Sequence, residues 1–220
     1  LVRILTPEVN REILQTLIPE AVLVTFEADE EIKELLEASL DWADTAAAGP
    51  GLGGSKASEE LIAVLSSYAC RHKEKYYVLD ADALNILSRN PSLWEGFSGC
   101  TVITPHMGEM ARIMGTSIEE VQKNRITLAK KAGIEYNVIC VLKDARTIVC
   151  EGEGACYVNR SGNSGMATAG SGDVLCGMIA GCLAMGLPGR MAAELGVFVH
   201  GLAVDAAKIR LGEHAVTAQD

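Results

Sequence analysis

The segment NSGMATAGSGDVL, residues 163–175, joins a glycine-rich loop to a run of small and apolar residues that continues to Gly186. The run predicts a buried helix over residues 174–185. Gly170, Ser171 and Gly172 would leave backbone N–H groups free at its first turn. Free N–H groups and the helix dipole both favour negative charge. The segment therefore predicts an anion-binding turn.

Asp173 is the unusual residue of that turn, because a carboxylate repels an anionic ligand. Its presence is explained if it accepts a proton from a substrate hydroxyl that attacks a phosphoryl group. The alternative is that Ser171 or Asp173 only caps the helix, since both residue types are good N-caps. A hydrolase triad of Ser171, His106 and Asp173 is excluded because the chain lacks a G-x-S-x-G elbow.

Length and composition favour one α/β domain with a large core, since the chain has 220 residues of which 49% are hydrophobic. A net charge of −10 argues against general nucleic-acid binding, although a nucleotide needs only a local positive patch. The longest uncharged run, residues 174–189, is shorter than the roughly 20 residues of a membrane span. No signal peptide is visible. We expect a cytoplasmic protein without membrane contact.

The cysteine pattern indicates a reducing compartment. There are seven cysteines, an odd number, and none form a C-x-x-C pair. This spacing supports neither a zinc site nor a disulfide framework. Most lie in apolar runs, where a free cysteine behaves as a small hydrophobe.

Apolar strands alternate with helices along the chain. Strands are predicted over residues 22–26, 45–48, 76–79, 101–104 and 138–142, with a meander of 147–150 and 155–158. Helices are predicted over residues 30–40, 109–114, 118–132, 174–185 and 190–209, with others after Ser55 and near Ala83. Uniformly apolar strands are typical of a parallel sheet covered on both faces. Polar and glycine-rich segments follow the strand ends, where such sheets bind ligands.

The loop Gly49-Pro50-Gly51-Leu52-Gly53-Gly54 matches G-x-G-x-x-G between a strand and a helix, and Asp80 ends the next strand. This is the context of a dinucleotide-binding turn, although a proline in it is unusual. Two alternatives remain open. The loop could be a tight strand-to-helix turn, or a glycine wall that lets a substrate approach the backbone closely.

Two further strand ends carry polar residues. In DADALN, residues 80–85, Asp80 or Asp82 could cap the following helix. In TPHMGE, residues 104–109, His106 could bind a phosphate or an amide of a ligand. Glu109 could hold Mg²⁺ through water, or it could be a first-turn acid that suits the helix dipole.

The segment Lys143-Asp144-Ala145-Arg146-Thr147 places two cations and a hydroxyl after a buried strand in an otherwise acidic protein. It is a candidate patch for nucleotide phosphates. A plain β-turn is the alternative.

In order, GPGLG, DADALN, TPHMGE, LKDART and GNSGMATAGSGDVLCG resemble the ADP- or ATP-dependent (S)-NAD(P)H-hydrate dehydratase family, which is often the C-terminal half of a bifunctional nucleotide-repair protein. The matching segments cover residues 49–177, and residues 3–24 are also similar. The resemblance implies a ribokinase-like three-layer fold in a single domain over residues 1–220. It implies a lyase that returns hydrated NADH or NADPH to the reduced dinucleotide while ADP becomes AMP, or ATP becomes ADP, with Mg²⁺.

The resemblance also implies roles for individual residues. Asp173 would be catalytic, and the substrate would contact Gly51, Gly53, His106 and Asp173. The adenine nucleotide would contact Lys143, Asp144, Ala145, Arg146, Thr147 and Gly172. Supporting positions would be Asn163, Glu109, Gly170 and Ser171, with no direct metal ligand. A homo-oligomer, a tetramer in bacterial members, and a separate NAD(P)H-hydrate epimerase are the implied partners, without nucleic acid or membrane.

Two departures from the family pattern are visible. Asp144 stands where the family usually has glycine, and the glycine-rich element that precedes the strand near residues 2–5 in the family is not in this chain. The alternatives are a ribokinase-superfamily kinase of a small alcohol, such as a vitamin precursor, and a nucleotide-binding domain without catalysis. An NAD-dependent oxidoreductase would leave GSGD unexplained.

Overall fold

The computed structural model describes residues 1–27 and 32–220. Residues 30 and 31, which begin one predicted helix, lie outside the described residues. The strands are β1 Arg3–Pro7, β2 Val22–Phe26, β3 Thr45–Ala48, β4 Tyr76–Leu79, β5 Thr101–Ile103, β6 Ile139–Leu142, β7 Ile148–Glu151 and β8 Tyr157–Val158. The helices are α1 Arg11–Leu17, α2 Ile32–Trp42, α3 Lys56–Arg71, α4 Ala81–Arg89, α5 Trp94–Phe97, α6 Met107–Ile113, α7 Ile118–Lys123, α8 Arg125–Glu135, α9 Ser171–Ala184 and α10 Gly189–Leu211.

A six-stranded sheet in the order β3-β4-β5-β6-β7-β8 forms the centre of the fold. Strands β3 to β6 pair in parallel, and β7 and β8 add an antiparallel hairpin. Strands β1 and β2 form a separate parallel pair. The predicted α/β class with a mostly parallel sheet is confirmed.

Helices cover both faces of the sheet, because successive side chains of each strand point to opposite faces. On one face Val78, Val102 and Val141 pack with Leu175 and Ile179 and with α10. On the other face the neighbouring residues Leu79, Ile103 and Leu142 join a cluster built from α3, α4, α6 and α8. Burying each such side chain fully stabilises the fold by about 1.5–3 kcal/mol. The two cores hold the strand ends in register, which positions the site.

The predicted helix over residues 118–132 is wrong as one element. The chain forms α7 and α8, with Asn124 at φ −124° and ψ 34° between them. The side-chain amide of Asn124 donates to Glu120 Oε1 at 2.8 Å, and its backbone N–H donates to Glu120 O at 3.0 Å. A side chain that completes the end of one helix in this way favours a break, although the apolar periodicity continues across it.

The expectation of unpaired cysteines is also wrong for two of them. Cys150 and Cys156 form a disulfide, with a Cα–Cα distance of 4.6 Å. The hairpin of β7 and β8 reverses direction over residues 152–154, with Gly152 at φ +51°, and this turn brings the two residues together. Five cysteines remain free. Among the helices of the described chain, none is long and apolar enough to span a bilayer.

Candidate active site at the first turn of α9

The first turn of α9 has the geometry that an anion-binding turn needs. Gly170 is the N-cap residue, at φ 84° in the left-handed region, and its carbonyl accepts the N–H of Val174 at 3.0 Å. Within the described residues no side chain caps this helix. Neither Ser171 nor Asp173 is the cap, so the capping alternative is wrong. The N–H of Ser171 donates to the carbonyl oxygen of Thr168 at 3.3 Å. The N–H groups of Gly172 and Asp173 have no acceptor within the described residues and remain available to a ligand.

Asp173 lies exposed on that turn. No hydrogen bond or ion pair joins its carboxylate to another residue in the described part of the chain. An unpartnered acid next to free N–H groups can both meet a ligand and accept a proton from it.

Ser171 points away from the ligand side and into the protein. Its Oγ lies 3.4 Å from Nε2 of His200 on α10, and both residues are buried. Burial lowers the pKa of His200, so this imidazole is neutral near pH 7. The sequence did not indicate His200, since it lies 29 residues further along an apolar helix.

Lys143 reaches the same turn from the end of β6. Its Nζ donates to Asp80 Oδ1 at 2.7 Å, and Asp80, at the end of β4, is 1% exposed. A Cβ placed on Gly172 would lie 3.2 Å from Lys143 Nζ and 3.8 Å from Asp80 Oδ2. The missing side chain at Gly172 therefore lets the ion pair approach the backbone of α9.

Cys176, one turn further on, has its pKa raised to about 12 by burial and by Asp80, so its thiol stays protonated.

Asp80 also caps α4, because its Oδ1 accepts the N–H of Ala81 at 2.8 Å. Asp82 instead accepts the N–H of Gly53 at 2.8 Å. Of the two capping candidates the structure selects Asp80. Because Asp80 is buried and its Oδ1 accepts from both Lys143 and Ala81, it does not resemble the free acid that holds a ribose in a dinucleotide-binding turn.

The rest of the 143–147 segment is the turn between β6 and β7. Asp144, which stands where the family usually has glycine, forms an ion pair with Arg125 that offsets its negative charge. Arg146 donates to the carbonyl of Arg160 at 3.0 Å, Thr147 donates to the carbonyl of Asp144 at 3.3 Å, and Ala145 is exposed. The structure thus brings Lys143 and Gly172 together. Contacts of all six predicted residues with a nucleotide stay predictions.

The glycine loop after β3 needs glycine at its first position. A Cβ on Gly49 would lie 1.8 Å from the carbonyl oxygen of Asp80. Gly51 and Gly53 have φ of 68° and 74° and are exposed. The loop is a tight strand-to-helix turn that also exposes backbone without side chains. This fits the interpretations as a tight turn and as a glycine wall for a substrate.

His106 is the N-cap of α6. Its Nδ1 accepts the N–H groups of Gly108 at 2.9 Å and Glu109 at 3.3 Å, and Glu109 Oε2 accepts the N–H of His106 at 2.8 Å. This reciprocal pair is a capping box. The His106 side chain remains 54% exposed, whereas Glu109 is buried. Throughout the described residues no group of three or more His, Cys, Asp or Glu side chains could hold a metal ion.

The loop before α9 is fixed to α10. Asn163 Oδ1 accepts the N–H of Gly165 at 3.0 Å, and its amide donates to Asp205 Oδ1 at 2.8 Å. Asp205 Oδ2 accepts the N–H of Gly162 at 2.9 Å. The hydrogen bonds from Asn163 and Gly162 lower the pKa of Asp205. Asn163 holds the loop in place, its role as a supporting site residue stays a prediction, and Asp205 is a partner that sequence analysis missed.

Fold and site together place the chain in the ribokinase-like class. A ribokinase-like superfamily protein from Enterococcus faecalis V583 superposes with a TM-score of 0.82 and 29% identity, over 94% of this chain and 70% of that one. The ADP/ATP-dependent NAD(P)H-hydrate dehydratase from Bacillus subtilis, co-crystallized with ATP/Mg²⁺ and soaked with CoA, gives a TM-score of 0.79 and 25% identity, over 99% of this chain and 77% of that one.

A family model described as NAD(P)H-hydrate dehydratase matches residues 1–220, and the chain belongs to that family. The ADP-dependent (S)-NAD(P)H-hydrate dehydratase of Neisseria meningitidis is 42% identical over 166 residues, covering 74% of this chain and 55% of that protein. The bifunctional NAD(P)H-hydrate repair enzyme of Moorella thermoacetica is 40% identical over 209 residues, covering 95% of this chain and 38% of that protein. The chain spans only part of these curated relatives. The resemblance drawn from the sequence motifs is confirmed.

Proposed function

We propose that this protein removes water from (6S)-hydrated NADH and NADPH and uses an adenine nucleotide, ADP, as phosphoryl donor. Family membership over the whole chain supports this activity. The observation that carries it is the carboxylate of Asp173, which has no partner in the described structure and lies on the first turn of α9, where the Lys143 ammonium lies next to Gly172. This arrangement suits an alcohol and a phosphate that meet at one point.

In the first step Asp173 accepts the proton of the substrate hydroxyl while the hydroxyl oxygen attacks the terminal phosphorus of ADP. The bond between that phosphorus and the bridging oxygen breaks, and AMP leaves. The N–H groups of Gly170 and Gly172 and the ammonium of Lys143 balance the charge of the transferred phosphoryl group, while the N–H of Ser171 is held by the carbonyl oxygen of Thr168.

In the second step the phosphate leaves with the electrons of the carbon–oxygen bond, and a neighbouring ring carbon loses a proton. The ring double bond is restored, and the products are NADH or NADPH and inorganic phosphate. Phosphorylation is needed because hydroxide is a far poorer leaving group than phosphate. We assign no residue to this second proton.

Exposed backbone at Gly51 and Gly53, together with the exposed edge of His106, would contact the hydrated dinucleotide. We infer that Mg²⁺ arrives bound to the nucleotide phosphates, as a B. subtilis relative was co-crystallized with ATP/Mg²⁺. The carboxylate of Glu109 is already engaged by His106, so a water-mediated role for it would require that contact to open. Mg²⁺ would supply electrostatic stabilisation of the phosphates.

We also propose that the protein acts in the cytoplasm as a homo-oligomer and that an NAD(P)H-hydrate epimerase activity supplies the S epimer. Relatives named as bifunctional NAD(P)H-hydrate repair enzymes support a second, linked activity.

The test mixes purified protein with hydrated NADH, Mg²⁺ and either ADP or ATP, and follows the absorbance of reduced nicotinamide. We expect recovery that depends on the nucleotide, and the preferred nucleotide identifies the donor. The control is protein with Asp173→Asn under the same conditions. Accumulation of a stable phosphorylated alcohol would instead indicate a small-alcohol kinase, and nucleotide binding without any turnover would indicate an inactive domain.

A further inference from the structure

Asp80 and Lys143 lie at the ends of two strands that are not neighbours. Asp80 follows β4 and Lys143 follows β6, with β5 between them. The backbone N–H of Lys143 donates to the carbonyl of Pro105 at 2.8 Å, which fixes where its side chain starts. The two side chains meet above the end of β5, at 2.7 Å. This contact exists only because the sheet places three strand ends at one edge.

The ammonium of Lys143 keeps unused donors beside the anion-binding turn. It has three N–H donors, of which one is directed to Asp80. Within the described residues it has no second hydrogen-bond acceptor, and its side chain is 20% exposed. Because Gly172 has no side chain, the ammonium lies next to the backbone of α9 where a phosphate would bind.

We propose that Asp80 is a positioning residue, which holds the Lys143 ammonium toward the phosphate groups of the adenine nucleotide. This inference rests on the proposed function. A carboxylate that is almost completely buried must be paired, so the lysine side chain is held in one conformation before the nucleotide arrives. A free lysine would lose side-chain entropy on binding, whereas the paired lysine has already lost it. Asp80 itself does not touch the nucleotide.

The competing explanation is that Asp80 only caps α4 and joins the strand ends. The variant Asp80→Asn distinguishes the capping role from the positioning role. Asparagine is also a good N-cap and keeps an oxygen for the N–H of Ala81, but it lacks the negative charge that holds Lys143. The matched control is Asp41→Asn, in which the same substitution is made on α2, where the carboxylate accepts the hydroxyl of Tyr68 at 2.6 Å.

The experiment compares the binding of ADP and of adenosine to the wild type and to both variants by titration calorimetry. We expect Asp80→Asn to weaken ADP binding by about 3- to 10-fold and to leave adenosine binding within about twofold, because only ADP has phosphates for Lys143 to contact. Asp41→Asn should change neither. The proposal is overturned if Asp80→Asn binds ADP like the wild type, or loses ADP and adenosine binding equally, as a distorted pocket would.

A second variant decides the matter if Asp80→Asn leaves Lys143 so poorly paired that the protein does not fold. The double variant Asp80→Asn/Lys143→Met leaves neither charge unpaired. It should bind ADP more weakly than the wild type while adenosine binding is retained. If it binds ADP like the wild type, Lys143 contacts no phosphate and the proposal fails.

These results are independent of the dehydratase assay. A wild-type protein that binds ADP but never restores NADH would contradict the proposed function, while the comparison of ADP with adenosine would still test Asp80. A wild-type protein that restores NADH, with an Asp80→Asn variant of unchanged ADP affinity, would contradict only the role of Asp80.

Discussion

The N-termini of α6 and α9 both lie close to Lys143, whose backbone pairs with His106 and whose ammonium lies next to Gly172. Both helices carry a carboxylate in the first turn. At α6 the carboxylate of Glu109 is buried and accepts the N–H of His106, while His106 accepts the N–H groups of the turn. At α9 the cap is a glycine, and Asp173 is exposed without a partner in the described structure. The comparison teaches that an acid whose hydrogen bonds are satisfied locally stabilises a helix, whereas an unsatisfied one at a free turn is available for chemistry.

The strongest test of this contrast is Asp173→Asn. Because the carboxylate has no partner in the described structure, its loss should leave the unfolding temperature and nucleotide binding unchanged. Turnover of hydrated NADH should fall by roughly 10²–10⁴, the usual contribution of a general base. The measurements are steady-state kinetics and thermal unfolding of the same preparation. An unfolded variant would show that Asp173 is a structural residue, and a folded variant with the full rate would show that it is not the base.

Gly170→Ala tests whether the shape of the α9 turn matters. Alanine is unfavourable at φ +84°, which should lower the free energy of unfolding by about 1–2 kcal/mol. Its Cβ would lie 3.1 Å from Cβ of Ala218, so the turn should shift and turnover should fall as well. Gly115→Ala, after α6 at φ +61° with no atom within 4 Å of the new Cβ, is the control. It should lose similar stability in urea unfolding but keep its turnover.

Glu109→Ala tests the opposite side of the comparison. It removes half of the capping box, so the free energy of unfolding should fall by about 0.5–2 kcal/mol. Turnover per folded molecule should change far less than in Asp173→Asn. Glu109→Gln, which can still form a capping box, should recover most of the stability. If Glu109→Gln kept its stability but lost its turnover, Glu109 would take part in catalysis, as the prediction that it binds Mg²⁺ through water requires.

The smallest expected effect concerns His200, beneath the α9 turn. Burial lowers its pKa below the ordinary value of 6.5, so the unfolded chain binds its proton first as the pH falls. Its contribution to stability is fully present above pH 6.5 and is lost as the pH falls through the folded pKa. We expect the difference in unfolding temperature between wild type and His200→Gln to be largest above pH 6.5 and to shrink as the pH falls below 6.5. A difference between the two that stays constant from pH 8 to pH 5 would contradict this.

Local pattern predicted much of the fold. The strands at residues 45–48 and 76–79 have the predicted bounds because short apolar runs end at glycine or aspartate. The break at Asn124 was missed, since one side-chain hydrogen bond ended a helix whose apolar spacing continued. The disulfide of Cys150 and Cys156 was missed because it depends on how β7 and β8 pair.

By itself, the sequence determined that the chain alternates strands and helices, that a glycine-rich turn opens α9, and which family it resembles. These features depend on residue types at short spacing, which fix local backbone conformation and hydrogen bonding. Only the tertiary structure decided that Asp80 pairs with Lys143, that Ser171 contacts His200, and that Asp205 holds the loop before α9. Each of these contacts joins residues at least 29 positions apart, and packing of helices on a twisted sheet, rather than any local preference, brings them together.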